Sequence, residues 1–250
     1  MKKVLMATGI TLFLMITMVI YILTSPLTML QLLIKNPETL AQIISFRSDH
    51  AKEAEGYGYY EDGEIEYLPG SIAVTYYNQT EEPWASHSYG RNTTIRSSGC
   101  GPTSMAIVAS TITGTVVDPI TMADWSLKKG YRVYHAGTSR ALFPAAAKEW
   151  GFECQGLQKN GKKVVEALSA GKLVIAIMGP GNFTKQGHYI VLRGISEDGK
   201  IMVADPASRK RSGQLWDLSV FTSQCKSVDS ATGGPFWAFW KEDESSQGDN

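Results

Sequence analysis

The sequence predicts an α+β domain preceded by a single transmembrane helix. Three observations carry that reading. The run Val4–Leu23 ("VLMATGITLFLMITMVIYIL") follows Lys2 and Lys3 and holds no charged residue. In the first half of what remains, helical runs stop at glycines. In the second half, short apolar runs have the length and composition of strands. Helices that precede strands, instead of alternating with them, point to α+β.

The N-terminal run has twenty residues. At about 1.5 Å per residue it covers the roughly 30 Å hydrocarbon core of a bilayer. A signal-peptide core is shorter, about 7–15 residues, and the exit "LTSP" (Leu23 to Pro26) is a poor small-x-small cleavage site. The run is therefore expected to be an uncleaved signal anchor. Residues 1–3 form a cytoplasmic stub, residues 4–23 span the membrane, and the positive-inside rule puts everything after them outside.

Residues 24–66 read as a stalk or linker. "NPETLAQIISF" opens with Asn36 as a helix cap and Pro37 at the first helical position, and Leu40, Ile43 and Ile44 give a helical stripe. "KEAEGYGYYEDGEIE" is acidic, glycine-bearing and tyrosine-rich. Residues 67–240 form the domain. Helices are predicted over 101–112 (Pro102 near the start, Gly114 beyond the end), 119–129, 139–150 and 162–170, the last three stopped by Gly130, Gly151 and Gly171. Strands are predicted over 173–178, 188–195, 200–204 and 235–240. The tail, 241–250, is polar and expected to be disordered.

Lys plus Arg equals Asp plus Glu, 24 each, so no global basic field points to nucleic acid. The densest basic run, "SRKR" at Ser208–Arg211, reads as a solvated turn. Three cysteines are present: Cys100, Cys154 and Cys225. Outside the membrane, Cys154 and Cys225 could pair and leave Cys100 free, or all three could be reduced. No Cys-x-x-Cys or His-x-x-x-His spacing occurs, so neither a metal nor another cofactor is expected.

Chemistry concentrates in "RSSGCGPTSMAIVAS". Cys100 stands one residue before a predicted helix, between Gly99 and Gly101. A thiol attacks as thiolate, and a helix N-terminus favours that anion. The flanking glycines would leave room for a substrate backbone. The competing reading is a small buried residue in a turn. Of four histidines, His50 falls in the stalk, and His87 and His135 lie in loop sequence. His188 follows the glycine-rich "MGPGNFTKQG" and begins the strand "HYIVLRGI". Asp198-Gly199 can close a hairpin to "KIMVADP". If Ile195 pairs with Lys200, Asp205 falls opposite Ile190, on the face that His188 shares and within diagonal reach of its ring. An aspartate there can set the histidine tautomer. An oxyanion would need donors. The Cys100 N–H is one. Gln79, or less favourably Asn78, is the candidate second.

These motifs carry a resemblance. "YYNQTEEPW", "SSGCGPTSMAIV", "GHYIVLRGI" and "MVADPAS" follow in the order Gln, Cys, His, Asp. They resemble the papain-like cysteine peptidases of the bacteriocin-processing (double-glycine) type, and more narrowly a stand-alone, membrane-anchored bacterial branch. "GTSRALFPAAAKEWG", "MGPGNFTKQGHYIVL" and "FWAFW" are similar to that branch as well. The resemblance covers about Tyr67 to Trp240. It implies a papain-like fold, with a nucleophile-bearing helix packed on an antiparallel sheet that carries His and Asp. It implies Cys100 as nucleophile, His188 as general base and then acid, Asp205 as its orienting partner and Gln79 as oxyanion donor. One departure is the interval of 21 residues between Gln79 and Cys100, where the family has only a few, so "EEPWASHSYGRNTTIRS" must loop out.

The function expected is hydrolysis of peptide bonds in a peptide or protein substrate outside a bacterial cell membrane. Leader-processing relatives sit on transporters and cut on the cytoplasmic side, so leader cleavage is not the activity expected here. Two alternatives stay open. One is an endopeptidase or amidase acting on peptidoglycan peptides. The other is a catalytically silent binding module of the same fold.

Overall fold

The structure is a computed structural model that describes residues 72–134, 137–227 and 232–242. The predicted span, the stalk with its helix from Asn36, residues 67–71 and most of the tail lie outside the described residues. Among those described, no helix is long and apolar enough to cross a membrane.

The chain enters through a four-residue helix, α1 (Ile95–Ser98), whose first turn is closed by the Thr94 N–H donating to Ser97 Oγ at 3.0 Å. After the single residue Gly99 comes α2 (Cys100–Thr113). Every α2 residue from Gly101 to Ser110 is buried. A helix buried all round needs no polar face, which is why this run is uncharged and mostly small rather than amphipathic. It ends at Gly114, in the left-handed region at φ 66°, as the sequence predicts. Helix α3 (Pro119–Lys128) starts with Asp118 Oδ1 accepting from the Thr121 N–H at 2.7 Å.

A two-residue ribbon, β1 (Arg132–Val133) against β2 (Gly137–Thr138), follows. Then come α4 (Leu142–Trp150), β3 (Glu153–Gly156) and α5 (Gly161–Ser169), the last capped by Asn160. Four strands build the middle of the sheet: β4 (Leu173–Met178), β5 (His188–Ile195), β6 (Ile201–Ala204) and β8 (Phe236–Trp240). Between β6 and β8 lie α6 (Arg209–Ser212), β7 (Leu215–Trp216) and α7 (Leu218–Gln224).

The sheet has six strands in the order β3-β8-β4-β5-β6-β7, and every pairing is antiparallel. Both of its faces are covered. Leu173, Ile175, Ile177, Tyr189, Val191, Trp237 and Phe239 face one apolar core with α2, α3 and α4. Val174, Ala176, Ile190, Leu192, Phe236 and Ala238 face a second core with α5 and α7. A strand buried on both faces reads as a continuous apolar run, and β4 and β5 do so in the sequence. Phe143 of α4 locks the first core, with ring centroids 4.9 Å from both Tyr189 and Trp237.

The α+β class and the antiparallel sheet agree with expectation, and strands β4 and β5 have the predicted bounds. The short elements α1, β1, β2, β3, α6, β7 and α7 were not foreseen. Helix α4 begins three residues late because residues 139–142 form a turn, the Ser139 carbonyl accepting from the Leu142 N–H at 3.1 Å and its Oγ from the Ala141 N–H at 3.3 Å. All three cysteines are free thiols. Cys154 packs on the first core and Cys225 in the second, on opposite faces of the sheet, so the two cannot pair.

Candidate active site

Helix α2 packs directly on β5 and presents Cys100 at its start. The two flanking glycines serve a different purpose from the one expected. A side chain at Gly99 would place its Cβ 2.5 Å from the Ile95 carbonyl oxygen, and one at Gly101 would lie 2.7 Å from Thr138. The space beside the thiol is filled by this protein's own α1 and β2, not left for a substrate. Gly99→Ala is accordingly expected to force α1 away from α2 and lower stability by about 1–3 kcal/mol. Urea unfolding of the variant checks this, and an unchanged midpoint would refute it.

His188 is the first residue of β5. Residues of its parity, Ile190 and Leu192, face the second core, away from α2. From the strand's first position the imidazole meets Asp205 and acts on the Cys100 thiol. His188 Nε2 lies 2.7 Å from Asp205 Oδ1, with His188 7% exposed and Asp205 fully buried. The second ring nitrogen, Nδ1, is not engaged by Asp205, and His188 acts electrostatically on the Cys100 thiol.

The register that joins His188 to Asp205 differs from the one predicted in an informative way. At the hairpin end Ile195 pairs with Ile201, not with Lys200. A bulge between Leu192 and Gly194 then absorbs one residue, and Leu192↔Val203 and Val191↔Ala204 recover the predicted pairing. Continued one step, that pairing sets Asp205 opposite Ile190. The expected diagonal relation therefore holds at the site, although the assumed turn pairing does not. Arg193 sits at the bulge, its Nε donating to the Val203 carbonyl at 3.4 Å.

Asp205 is held on all sides. Oδ1 also accepts from the Ala207 N–H at 2.8 Å, and Oδ2 accepts from Arg211 Nε at 2.5 Å. Its backbone carbonyl accepts from the Tyr76 hydroxyl at 2.7 Å, and its N–H donates to Ser212 Oγ at 2.9 Å. Arg211 is the site residue that sequence reasoning missed. It belongs to "SRKR", which is the short helix α6 and not a freely solvated turn. Its neighbour Arg209 grips Glu81 through two hydrogen bonds of 2.6 and 2.7 Å. The only available signal was a cation six residues after the aspartate, across a Pro-Ala-Ser turn.

Gln79 is buried but does not line the cleft that holds Cys100. Its Nε2 donates to the carbonyls of Arg96 (2.9 Å) and Ile95 (3.4 Å), and Oε1 is buried without a partner. The side chain is therefore tied to α1, the turn leading into Cys100. Asn78 is occupied locally, its Oδ1 accepting from the N–H and hydroxyl of Thr80. The loop between Gln79 and Cys100 is folded onto α3, where His87 meets Asp124 at 2.8 Å. His50 and His135 lie outside the described residues.

The electrostatics form a coupled set. Burial alone would push the Cys100 thiol up. The hydrogen bond and charge of His188, with backbone hydrogen bonds from Tyr189 and Gly101, outweigh it and hold the thiol below its usual value. Burial would pull His188 down, but the hydrogen bond to Asp205, then the bond and charge of Cys100, raise it to about 9. Asp205, which burial would push up, is held below the usual carboxylate range by His188 and Arg211. Thiol and imidazole each stabilise the charged form of the other. Cys154 shows the contrast: burial with no cation beside it pushes its thiol up to about 12.

Cys100 and His188 open into a cleft of about 830 Å³, walled by β1, β2 and the loop before β5. Thr138 on that wall is fixed by the Tyr89 hydroxyl at 2.9 Å, which also meets Ser126 Oγ at 2.9 Å. Among the described residues, no group of three or more His, Cys, Asp or Glu is placed to hold a metal ion.

A helix-mounted thiol against an antiparallel sheet resembles the layout of a papain-like cysteine peptidase, and the chain is a cysteine-type hydrolase. More narrowly, it belongs to the Peptidase_C39 like family, whose profile matches residues 71–228. This agrees with the family that its motifs resemble. Among solved structures, the chain is similar to a double glycine motif protease from an AMS/PCAT transporter in complex with the leader peptide. Identity is 18% over 70% of this chain and 96% of that one, with a TM-score of 0.44. No curated protein matches the chain.

Proposed function

We propose that this chain is a membrane-anchored peptidase that hydrolyses peptide bonds outside the cytoplasm, with Cys100 as nucleophile, His188 as general base and acid, and Asp205 as the group that orients His188. The observation that carries the reading is the 2.7 Å His188–Asp205 hydrogen bond behind a thiol that His188 holds below its ordinary pKa. The anchor rests on the uncharged run Val4–Leu23 behind Lys2 and Lys3.

The chemistry follows from those positions. The Cys100 thiolate attacks the scissile carbonyl carbon. A C–S bond forms and the carbonyl electron pair moves to oxygen. The first N–H of α2 has no acceptor within the helix and is free to donate to this oxyanion. Gln79 serves the same end indirectly, by holding the carbonyls of α1. The intermediate collapses, the C–N bond breaks, and the His188 Nδ1 proton passes to the leaving amine. Water then adds to the thioester as His188 takes its proton. The C–S bond breaks, and acid product leaves a restored thiolate–imidazolium pair. Asp205 keeps Nε2 protonated throughout, so that Nδ1 always faces the reaction.

The test is incubation of the purified full chain in detergent with a proteome-derived peptide library, read by mass spectrometry. Defined new termini, absent after iodoacetamide has labelled Cys100, are the expected result. An unchanged library would refute the proposal.

A further inference from the structure

Among the described residues, Arg91, Arg132, Arg140 and Lys226 line the cleft beside Cys100, and no aspartate or glutamate does. The whole chain is balanced at 24 cations and 24 carboxylates, so the described lining departs from the composition. Elsewhere on the domain, cations find carboxylates: Arg96 with Glu82, Lys200 with Asp217, Arg209 with Glu81. Among the described residues, none of the four cleft cations has such a partner.

They are not equivalent. Arg132 spends its guanidinium on neutral acceptors, the carbonyls of Tyr89, Val133 and Gly137 and the Thr93 hydroxyl, so its role in the wall is structural. Arg91 and Lys226 are exposed at the rim. Arg140 is different. It is half-buried, it follows β2 in the cleft wall, and its Nε is buried without a hydrogen-bond partner. Its backbone is fixed, the carbonyl accepting from the Phe143 N–H of α4 at 3.2 Å. Its charge acts on Tyr189, the neighbour of His188. A half-buried guanidinium in the cleft wall, without a carboxylate partner among the described residues, can take an oxyanion through two parallel N–H···O bonds.

We infer that the cleft selects substrates bearing a carboxylate close to the scissile bond, and that Arg140 is the specificity-determining residue that receives it. The ligand class is an acidic peptide, with Asp or Glu flanking the bond cut or a free carboxyl terminus just beyond it. This rests on Cys100 being the reacting group of the proposed peptidase, but its test does not require hydrolysis.

The probe is alkylation of Cys100 by iodoacetate against iodoacetamide, reagents of similar size that differ in carrying a carboxylate. Both rates are taken on the same thiol, so the thiolate fraction cancels in their ratio. In the wild-type full chain the ratio should exceed that of a small free thiol, and Arg140→Gln should lower it about tenfold. Arg140→Lys should restore part of it. The iodoacetamide rate of Arg140→Gln shows whether the thiol itself is intact. Slow labelling of wild type by iodoacetamide would speak against the peptidase. A ratio that Arg140→Gln leaves unchanged would overturn the carboxylate site alone. With hydrolysis in hand, paired peptides differing only in Glu or Gln beside the scissile bond should differ in kcat/KM, and the preference should vanish in Arg140→Gln.

Discussion

Replacing His188 with alanine is expected to slow alkylation of Cys100 at pH 6 by about 30-fold and to remove hydrolysis. The size follows from the thiolate fraction. An ordinary thiol of pKa about 8.5 is roughly 0.3% ionised at pH 6. The wild-type thiol is held low by the hydrogen bond and charge of His188, which together exceed the burial that opposes them. A largely formed ion pair would raise the reactive fraction by roughly two orders of magnitude or more. A stabilised thiolate is a weaker nucleophile, and that returns part of the gain. In His188→Ala only the backbone hydrogen bonds from Tyr189 and Gly101 still oppose the burial, so the thiol should titrate higher than in wild type. His188→Gln keeps a side chain in the space without supplying a titratable cation, so it should label as slowly as the alanine variant. Fast labelling of both variants at pH 6 would mean that the thiol owes nothing to His188, and Cys100 would be a small residue in a tight turn.

The parts of the molecule that were legible share a physical origin. Helix α2 could be read because Gly114 ends it and Pro102 stands near its start. Strands β4 and β5 could be read because burial on both faces leaves an unbroken apolar run. His188 and Asp205 could be joined because the side-chain period of a strand is fixed, and the bulge at Arg193 happens to restore the pairing that a wrong turn register had lost. What could not be read depends on contacts distant in sequence. Gly99 and Gly101 look like clearance for a ligand until α1 and Thr138 are seen to occupy the space. Gln79 has the right residue type, but its partners lie sixteen and seventeen residues away on a turn too short to give a periodic signal. Arg211 looked solvated because charge runs usually are. Its role depends on α6 folding back across Asp205, while Arg209 ties the same helix to Glu81.

That fold-back sets up the second large effect. Asp205→Asn is expected to lower kcat/KM by about 10²–10⁴, the range over which a correctly held acid–base histidine contributes. The carboxylate has two acceptor oxygens and meets a donor at each, His188 at Oδ1 and Arg211 at Oδ2. An amide has one acceptor. If the introduced amide turns its oxygen to His188, its NH₂ faces the Arg211 guanidinium, donor against donor. If it turns the other way, the tautomer of His188 is lost. Arg211→Gln in the same chain offers an acceptor to that NH₂ and should recover stability. It should not recover the pH behaviour, because the charge at position 205 stays absent. In wild type, His188 is raised to about 9, with Asp205 first among the causes that outweigh burial. The basic limb of kcat/KM should therefore lie near pH 9, where the ion pair loses the proton destined for the leaving amine. Without the aspartate, burial pulls His188 down, and the limb should move lower by about one unit or more in both the single and the double variant. Stability must follow the same signs. The contribution of His188 is present in full below its unfolded pKa near 6.5 and disappears as pH rises through about 9 in wild type, but earlier in Asp205→Asn. The contribution of Asp205 is present above its unfolded pKa near 3.8 and disappears as pH falls through its lower folded value, so the asparagine variant lacks that acid-side loss. A basic limb that stays near 9 in Asp205→Asn would show that the carboxylate braces α6 without tuning the histidine.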